Sequence, residues 1–212
     1  MKIGITQRVE FVAEYPESRD CLDRRWSEML DVLNLTMIAI PNISENIEKW
    51  LEVTNCDGFI LSGGNDLAGL PNAKNVSIER DQTEIALLKY AQNISLPVLG
   101  ICRGFQLMNT FLGGKLDRVS GHVANRHSVR KCFKNEGSFS TIDVNSFHNW
   151  GISRKNLAPK LIPCAYDSEG FIEAARHEEL NWLGVMWHPE REQKFRKSDL
   201  EIFRNLFFEK SI

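Results

Sequence analysis

Residues 97–114 read PVLGICRGFQLMNTFLGG, and this stretch decides the fold. It opens as a short apolar run, Val98-Leu99-Gly100-Ile101, the signature of a buried strand. It turns at Cys102-Arg103-Gly104 and continues through Phe105, Leu107, Met108, Phe111 and Leu112 at helical spacing. Gly113-Gly114 stops that helix. A cysteine between two glycines at a strand-to-helix turn has the layout of a nucleophile elbow with sulfur in place of oxygen. Small flanking residues allow the tight turn that pushes the side chain into the open. The helix N-terminus behind the thiol favours the thiolate, the form that attacks. The plain alternative is that Cys102 is a small buried hydrophobe, as free cysteines commonly are.

On the N-terminal side of this stretch, strands alternate with helices. Lys2 to Arg8 reads as a first strand. Asp20 to Leu35 has helical periodicity, and Met37 to Ile40 is a second strand closed by Pro41. Asn42 with Glu45 fits a capping box for a helix carrying Ile47, Trp50 and Leu51. Cys56 to Leu61 is a third strand and runs into Ser62-Gly63-Gly64-Asn65. After a loop over 67–78, a helix from about Ile78 to Gln92 leads into the elbow. This alternation argues for a parallel sheet covered on both faces. Beyond Gly114 the pattern shifts to shorter strands, at Lys115 to Val119, His127 to Phe133 and Phe139 to Phe147, with turns at Gly121 and 135–138. Phe171 to Ala175 and Trp182 to Trp187 read as two more strands. Ser198 with Glu201 marks the cap of a closing amphipathic helix. We expect a single α/β domain over residues 1–212 with an antiparallel extension in its second half.

Composition narrows the function classes. With 212 residues, 42% hydrophobic and 25% charged, the chain is long enough to bury a substantial core. A net charge of -2 gives no footprint for general nucleic-acid binding. No apolar run approaches membrane-spanning length, and MKIGITQRVE has no signal-peptide layout. Cysteines 21, 56, 102, 132 and 164 are scattered, with no C-x-x-C pair to suggest zinc. We expect free thiols in a reducing, cytoplasmic setting, and neither membrane nor nucleic-acid partners.

Two further pieces stand beside the elbow. Gly184-Val-Met-Trp-His-Pro-Glu190 ends an apolar strand in a histidine, with a carboxylate two residues on. Acyl transfer by a thiol needs a base for the thiol proton and a third group to orient that base. His188 and Glu190 can serve, since Pro189 turns the chain between them. Paired glycines at Gly63-Gly64 leave backbone N–H groups open, and an oxyanion hole needs two donors. Gly64 and Arg103 could supply them. All three pieces follow predicted strands, where open α/β sheets place their sites.

Gly100 to Gln106, Gly63-Gly64 and Gly184 to Glu190 together resemble the class I glutamine amidotransferase family. The likeness is greatest to its stand-alone γ-glutamyl hydrolase branch, which includes γ-glutamyl-γ-aminobutyrate hydrolases. It spans nearly the whole chain, and the order Cys, His, Glu fits this family. The resemblance implies a flavodoxin-like, mostly parallel central sheet flanked by helices, with a small antiparallel extension and no cofactor or metal. It implies a γ-glutamyl thioester on Cys102, with His188 as acid and base and Glu190 as its orienter. Gly64 and Arg103 would be the oxyanion donors. Gly63, Gln106, Asn149 and Trp150 would bind the glutamyl end, although Asn149-Trp150 replaces the residues that commonly follow the histidine of that segment. The substrate is expected to be a small γ-glutamyl amide. The overall look points to a nucleotide-linked one, a glutamine whose amide nitrogen carries cytidine diphosphate, cleaved in capsule phosphoramidate synthesis. A diphosphate needs cations. Arg8 is the first choice, ahead of Arg24, Arg25, Arg80, Arg118, Arg126 and Arg130. His122 and His127 are expected to be structural or surface residues, and His148 to pack beside the pocket. The alternatives are a glutaminase subunit that passes ammonia to a separate synthetase, and a non-catalytic binding protein. A partner synthetase is compatible with the resemblance but not required by it.

Overall fold

A computed structural model describes residues 1–43, 47–132 and 139–209. The five strands β1 (Lys2–Thr6), β4 (Thr36–Ile40), β5 (Gly58–Leu61), β6 (Val98–Ile101) and β13 (Trp182–Val185) run parallel in the order β4-β1-β5-β6-β13. The sheet continues antiparallel through β12 (Ile172–His177), β11 (Leu161–Tyr166), β8 (Val123–Cys132) and β9 (Phe139–Phe147). Two small pairs stand apart, β2 (Arg8–Phe11) with β3 (Ser18–Cys21), and β7 (Asp117–Arg118) with β10 (Trp150–Gly151).

The parallel strands alternate their side chains between two apolar layers, as the pleat requires. Ile3, Ile5, Ile60, Leu99 and Ile101 face α1 (Arg25–Val32) and α5 (Lys197–Phe207), packing with Trp26, Met29, Leu30, Phe203 and Phe207. Phe59, Leu61 and Val98 face the other way. They pack with residues of α2 (Ile47–Thr54), α3 (Ile78–Asn93) and α4 (Arg103–Phe111), among them Leu51, Leu87, Leu88, Leu107 and Met108. Among the described residues no helix is long and apolar enough to cross a membrane. Among the described residues, Cys21, Cys56, Cys102 and Cys164 form no disulfide.

The α/β core follows the expected pattern; its first crossover and second half differ in detail. The first strand ends at Thr6, because the chain from Arg8 pairs with Ser18–Cys21 as a hairpin. The helix expected from Asp20 therefore starts at Arg25. Asp20 accepts hydrogen bonds from the Asn42 backbone and side chain instead. Asn42 is thus tied to the hairpin, and Glu45, the other half of the proposed capping box, lies outside the described residues. So does the turn at 135–138. The closing helix starts at Lys197 with no side-chain cap, so Ser198 does not cap it. Asp199 turns inward and accepts from Trp187 Nε1 at 3.3 Å and Arg196 Nε at 2.8 Å. Strand β11 has no counterpart in the sequence reading, because Pro163 and a bulge at Pro163–Ala165 break its period.

Candidate active site

β6 delivers Cys102 to its turn with φ 50° and ψ -105°, a strained backbone for a residue with a side chain. The turn is held on both sides. Cys102 N–H donates to the Val185 carbonyl at 2.8 Å, and the Cys102 carbonyl accepts from Gln106 N–H at 3.0 Å. Gly104 is required by close approach, since a Cβ there would overlap the Leu61 carbonyl of β5.

β13 lies beside β6 and carries the chain to His188. There Asn145, on β9, pins the backbone from both sides. Its Oδ1 accepts from His188 N–H at 2.9 Å, and its Nδ2 donates to the His188 carbonyl at 2.8 Å. The ring's Nδ1 is 2.7 Å from Glu190 Oε1. A carboxylate accepts there, which leaves Nε2 for the Cys102 side chain, whose charge also acts on the ring. Burial opposes a charged imidazole. The Glu190 carboxylate, and then Cys102, outweigh burial and raise His188 to about 9. Gly63 is the second glycine that close approach demands, because a Cβ on it would sit 2.5 Å from His188 Cε1.

The Gly63-Gly64 loop is set by Arg80. This guanidinium donates to the carbonyls of Ser62, Gly63 and Gly64 at 2.8, 3.1 and 2.6 Å, and to Asn65 Oδ1 at 2.9 Å. In a trans peptide the N–H points opposite to the preceding carbonyl. Gly64 N–H therefore faces away from Arg80. Arg80 is fully buried on α3 and sits 3.0 Å from Glu84. Burial first, and then the like charge of Arg103, lower it to about 10. The Arg103 side chain pairs with Glu84 and Asp81. One buried four-charge cluster thus ties the glycine loop to the elbow helix. As the first residue of that helix, Arg103 has a backbone N–H with no intrahelical acceptor.

Cys102, Gln106 and His188 line a cleft of about 220 Å³ with Gly64, Arg103, Phe147, His148, Asn149 and Trp150. Of the expected residues, all but Arg8, Gly63 and Glu190 line this cleft. Arg8 lines a neighbouring cavity of about 270 Å³ with Gly63 and Glu190, and its guanidinium is 2.9 Å from Glu10. Arg80, another candidate for a diphosphate, is excluded by its burial. Besides Arg103, whose side chain is paired with Asp81 and Glu84, the cleft is lined by the cations Lys74 and Arg191, neither of which the sequence reading selects. The Gln106 amide donates to the Trp150 carbonyl at 2.8 Å, so it braces the far wall. His148 shares that carbonyl through Nδ1 at 3.1 Å. The sequence reading also misses Asn145 and the role of Arg80. The one available signal is an arginine and a glutamate four apart on a helix face that also carries Leu87 and Leu88.

On this fold, with thiol and imidazole carried by neighbouring parallel strands, the class is that of the class I glutamine amidotransferase-like proteins, cysteine-dependent amide hydrolases. The chain belongs to the Peptidase C26 family, whose profile matches residues 3–190. It is 32% identical over 209 residues to a γ-glutamyl-CDP-amidate hydrolase of Campylobacter jejuni, covering 98% of both chains. It is 29% identical over 171 residues to the glutamine-hydrolysing GMP synthase subunit of Methanococcus maripaludis, covering 78% of this chain and 80% of that one. The crystal structure of a candidate GMP synthase subunit from Thermoplasma acidophilum superposes with a TM-score of 0.72 at 21% identity. It covers 98% of this chain and 92% of that one, a likeness of fold.

Proposed function

We propose that the protein hydrolyses a γ-glutamyl amide through a γ-glutamyl thioester on Cys102. The thiolate attacks the γ-carbonyl carbon, and the developing oxyanion is met by the N–H groups of Gly64 and Arg103. The C–N bond then breaks as His188 Nε2 passes its proton to the leaving nitrogen. Water, deprotonated by the same nitrogen, cleaves the thioester, releasing glutamate and restoring the thiol. Glu190 keeps the proton on Nδ1 and so holds the tautomer. The observation that carries this reading is the His188 ring held at 2.7 Å by Glu190 in the cleft that Cys102 also lines.

For the leaving group we favour cytidine diphosphoramidate, released from γ-glutamyl-CDP-amidate in capsular phosphoramidate synthesis. The full-length likeness to the Campylobacter jejuni hydrolase supports it. So do Lys74 and Arg191, which give the cleft cations for a diphosphate. A second reading, a glutaminase that hands ammonia to a separate synthetase, is favoured by the likeness to the GMP synthase subunit of Methanococcus maripaludis. Incubating the purified protein alone with glutamine, γ-glutamyl-γ-aminobutyrate and γ-glutamyl-CDP-amidate separates these readings. We expect efficient turnover of the nucleotide amide without a partner. Glutamine turnover that appears only when a synthetase is added would overturn the first reading.

A further inference from the structure

His148 lines the cleft, and behind it lies a second cluster of titratable side chains. His122 precedes β8 and His127 lies on it. Asp167 follows β11, and Glu173 lies on β12. One nitrogen or carboxylate oxygen from each of these four falls within 4.8 Å of the others. The tightest pairs are His127 Nε2–Glu173 Oε2 at 3.4 Å and His122 Nε2–Asp167 Oδ2 at 3.5 Å. Asp167 Oδ2, His127 Nε2 and both Glu173 oxygens are buried and make no hydrogen bond. Buried polar atoms are normally partnered, so this concentration needs a cause.

The surroundings fix these groups in place. Asp167 Oδ1 accepts the backbone N–H groups of Glu169 and Phe171 at 2.9 and 2.8 Å, which turns Oδ2 toward His122. His148 must donate through Nδ1, because the Trp150 carbonyl can only accept. Its Nε2 is then a lone pair, unpartnered and 3.7 Å from Glu173 Oε1. His148 Nε2 and the Glu173 carboxyl therefore face each other too far apart to share a proton, and the carboxyls of Asp167 and Glu173 meet His122 and His127 at 3.5 and 3.4 Å without a formed hydrogen bond. Two imidazoles and two carboxylates match one divalent cation in charge. A tetrahedral zinc ion with bonds near 2.0–2.1 Å places its ligand atoms about 3.3–3.4 Å apart, close to the two tight pairs. Imidazole nitrogen suits zinc, whereas calcium and magnesium take oxygen.

We propose that His122, His127, Asp167 and Glu173 form a closed structural zinc site, with His148 Nε2 aimed into it. The ion would clamp β8, β11 and β12 together and, through His148, support the Trp150 wall of the cleft. The proposal does not depend on the hydrolase reading. No spacing motif announces it, since the four residues are scattered along the chain from 122 to 173 and meet only when β8, β11 and β12 pair.

The test uses the full chain, stripped with a chelator, dialysed and titrated with Zn²⁺ or Co²⁺ alone. We expect one ion per chain, a thermal midpoint that rises with free Zn²⁺, and tetrahedral Co²⁺ bands in the visible with no thiolate charge-transfer band. The spectrum should survive Cys102→Ala. His127→Gln and Glu173→Gln should each weaken binding by about 100-fold or more. Failure of the wild-type chain to take up one ion, even when refolded with Zn²⁺, overturns the proposal. So does a thiolate band lost in Cys102→Ala, or undiminished binding in both glutamine variants. Should those variants not fold, wild-type stoichiometry and the Co²⁺ spectrum decide.

Discussion

At the scale of single residues, the elbow sets stability against function. A side chain at φ 50° and ψ -105° costs on the order of 1–3 kcal/mol. Cys102→Ala keeps that strain and should abolish turnover with the fold intact; near-normal activity would remove Cys102 from the mechanism. Cys102→Gly should be equally inactive yet melt a few degrees higher than the alanine variant, after the entropic cost of glycine, about 0.5–1 kcal/mol, is subtracted. Equal or lower melting would mean the turn is unstrained. His188, raised to about 9, holds its proton below that pH and loses it above. The alkaline limb of kcat/KM should therefore fall near pH 9. Where deacylation limits kcat, its profile should instead show an acid limb below pH 9, because His188 must be neutral to deprotonate water and acylation removes the thiolate that helps hold its proton. A limb of kcat/KM near 6.5 would show an imidazole uncoupled from Glu190 and Cys102. These three residues are legible in the sequence because each sits in a local motif at a strand end. Asn145 is not, since its grip on His188 is formed across the fold and nothing nearby in the chain marks it.

At the scale of elements, α3 acts as a bracket. Its first turns carry Arg80, Asp81 and Glu84 inward, and its last turns carry Leu87, Leu88 and Ala91. Arg80→Ala would remove one of the two guanidinium partners of Glu84, leaving Arg103, and would cut the tether of the glycine loop. Arg80→Lys keeps the charge but lacks the planar fork that spans three carbonyls. It should lower kcat by about 10- to 100-fold with KM little changed. An equal rise in KM and an unaltered kcat would mean that the loop only binds substrate. The parallel strands can be read from short apolar runs that alternate with segments of helical periodicity. The antiparallel strands cannot all be read, because β11 is interrupted by proline and a bulge. Arg80 itself passes for surface charge in the sequence, since a buried arginine and a solvated one look alike until the helix face is placed.

At the scale of the whole molecule, the buried charges set an acid limit. Burial raises Glu84, but the guanidinium groups of Arg103 and Arg80 outweigh it and hold it below the ordinary carboxylate range. A depressed carboxyl contributes stability that is present above its unfolded value of about 4.3 and is lost as pH falls below it. The urea midpoint should be nearly flat from pH 7 to pH 5 and drop between pH 4 and pH 3. A midpoint that stays constant to pH 3 would place the cluster outside the cooperative unit. The architecture also orders events during synthesis. The elbow strand, Val98–Ile101, bonds to Trp182–Val185, which leaves the ribosome much later. Until that final parallel strand arrives, the nascent polypeptide bears a sulfhydryl with no imidazole to arm it. A product terminated ahead of His188 therefore lacks the acid and base that acyl transfer on this sulfur requires.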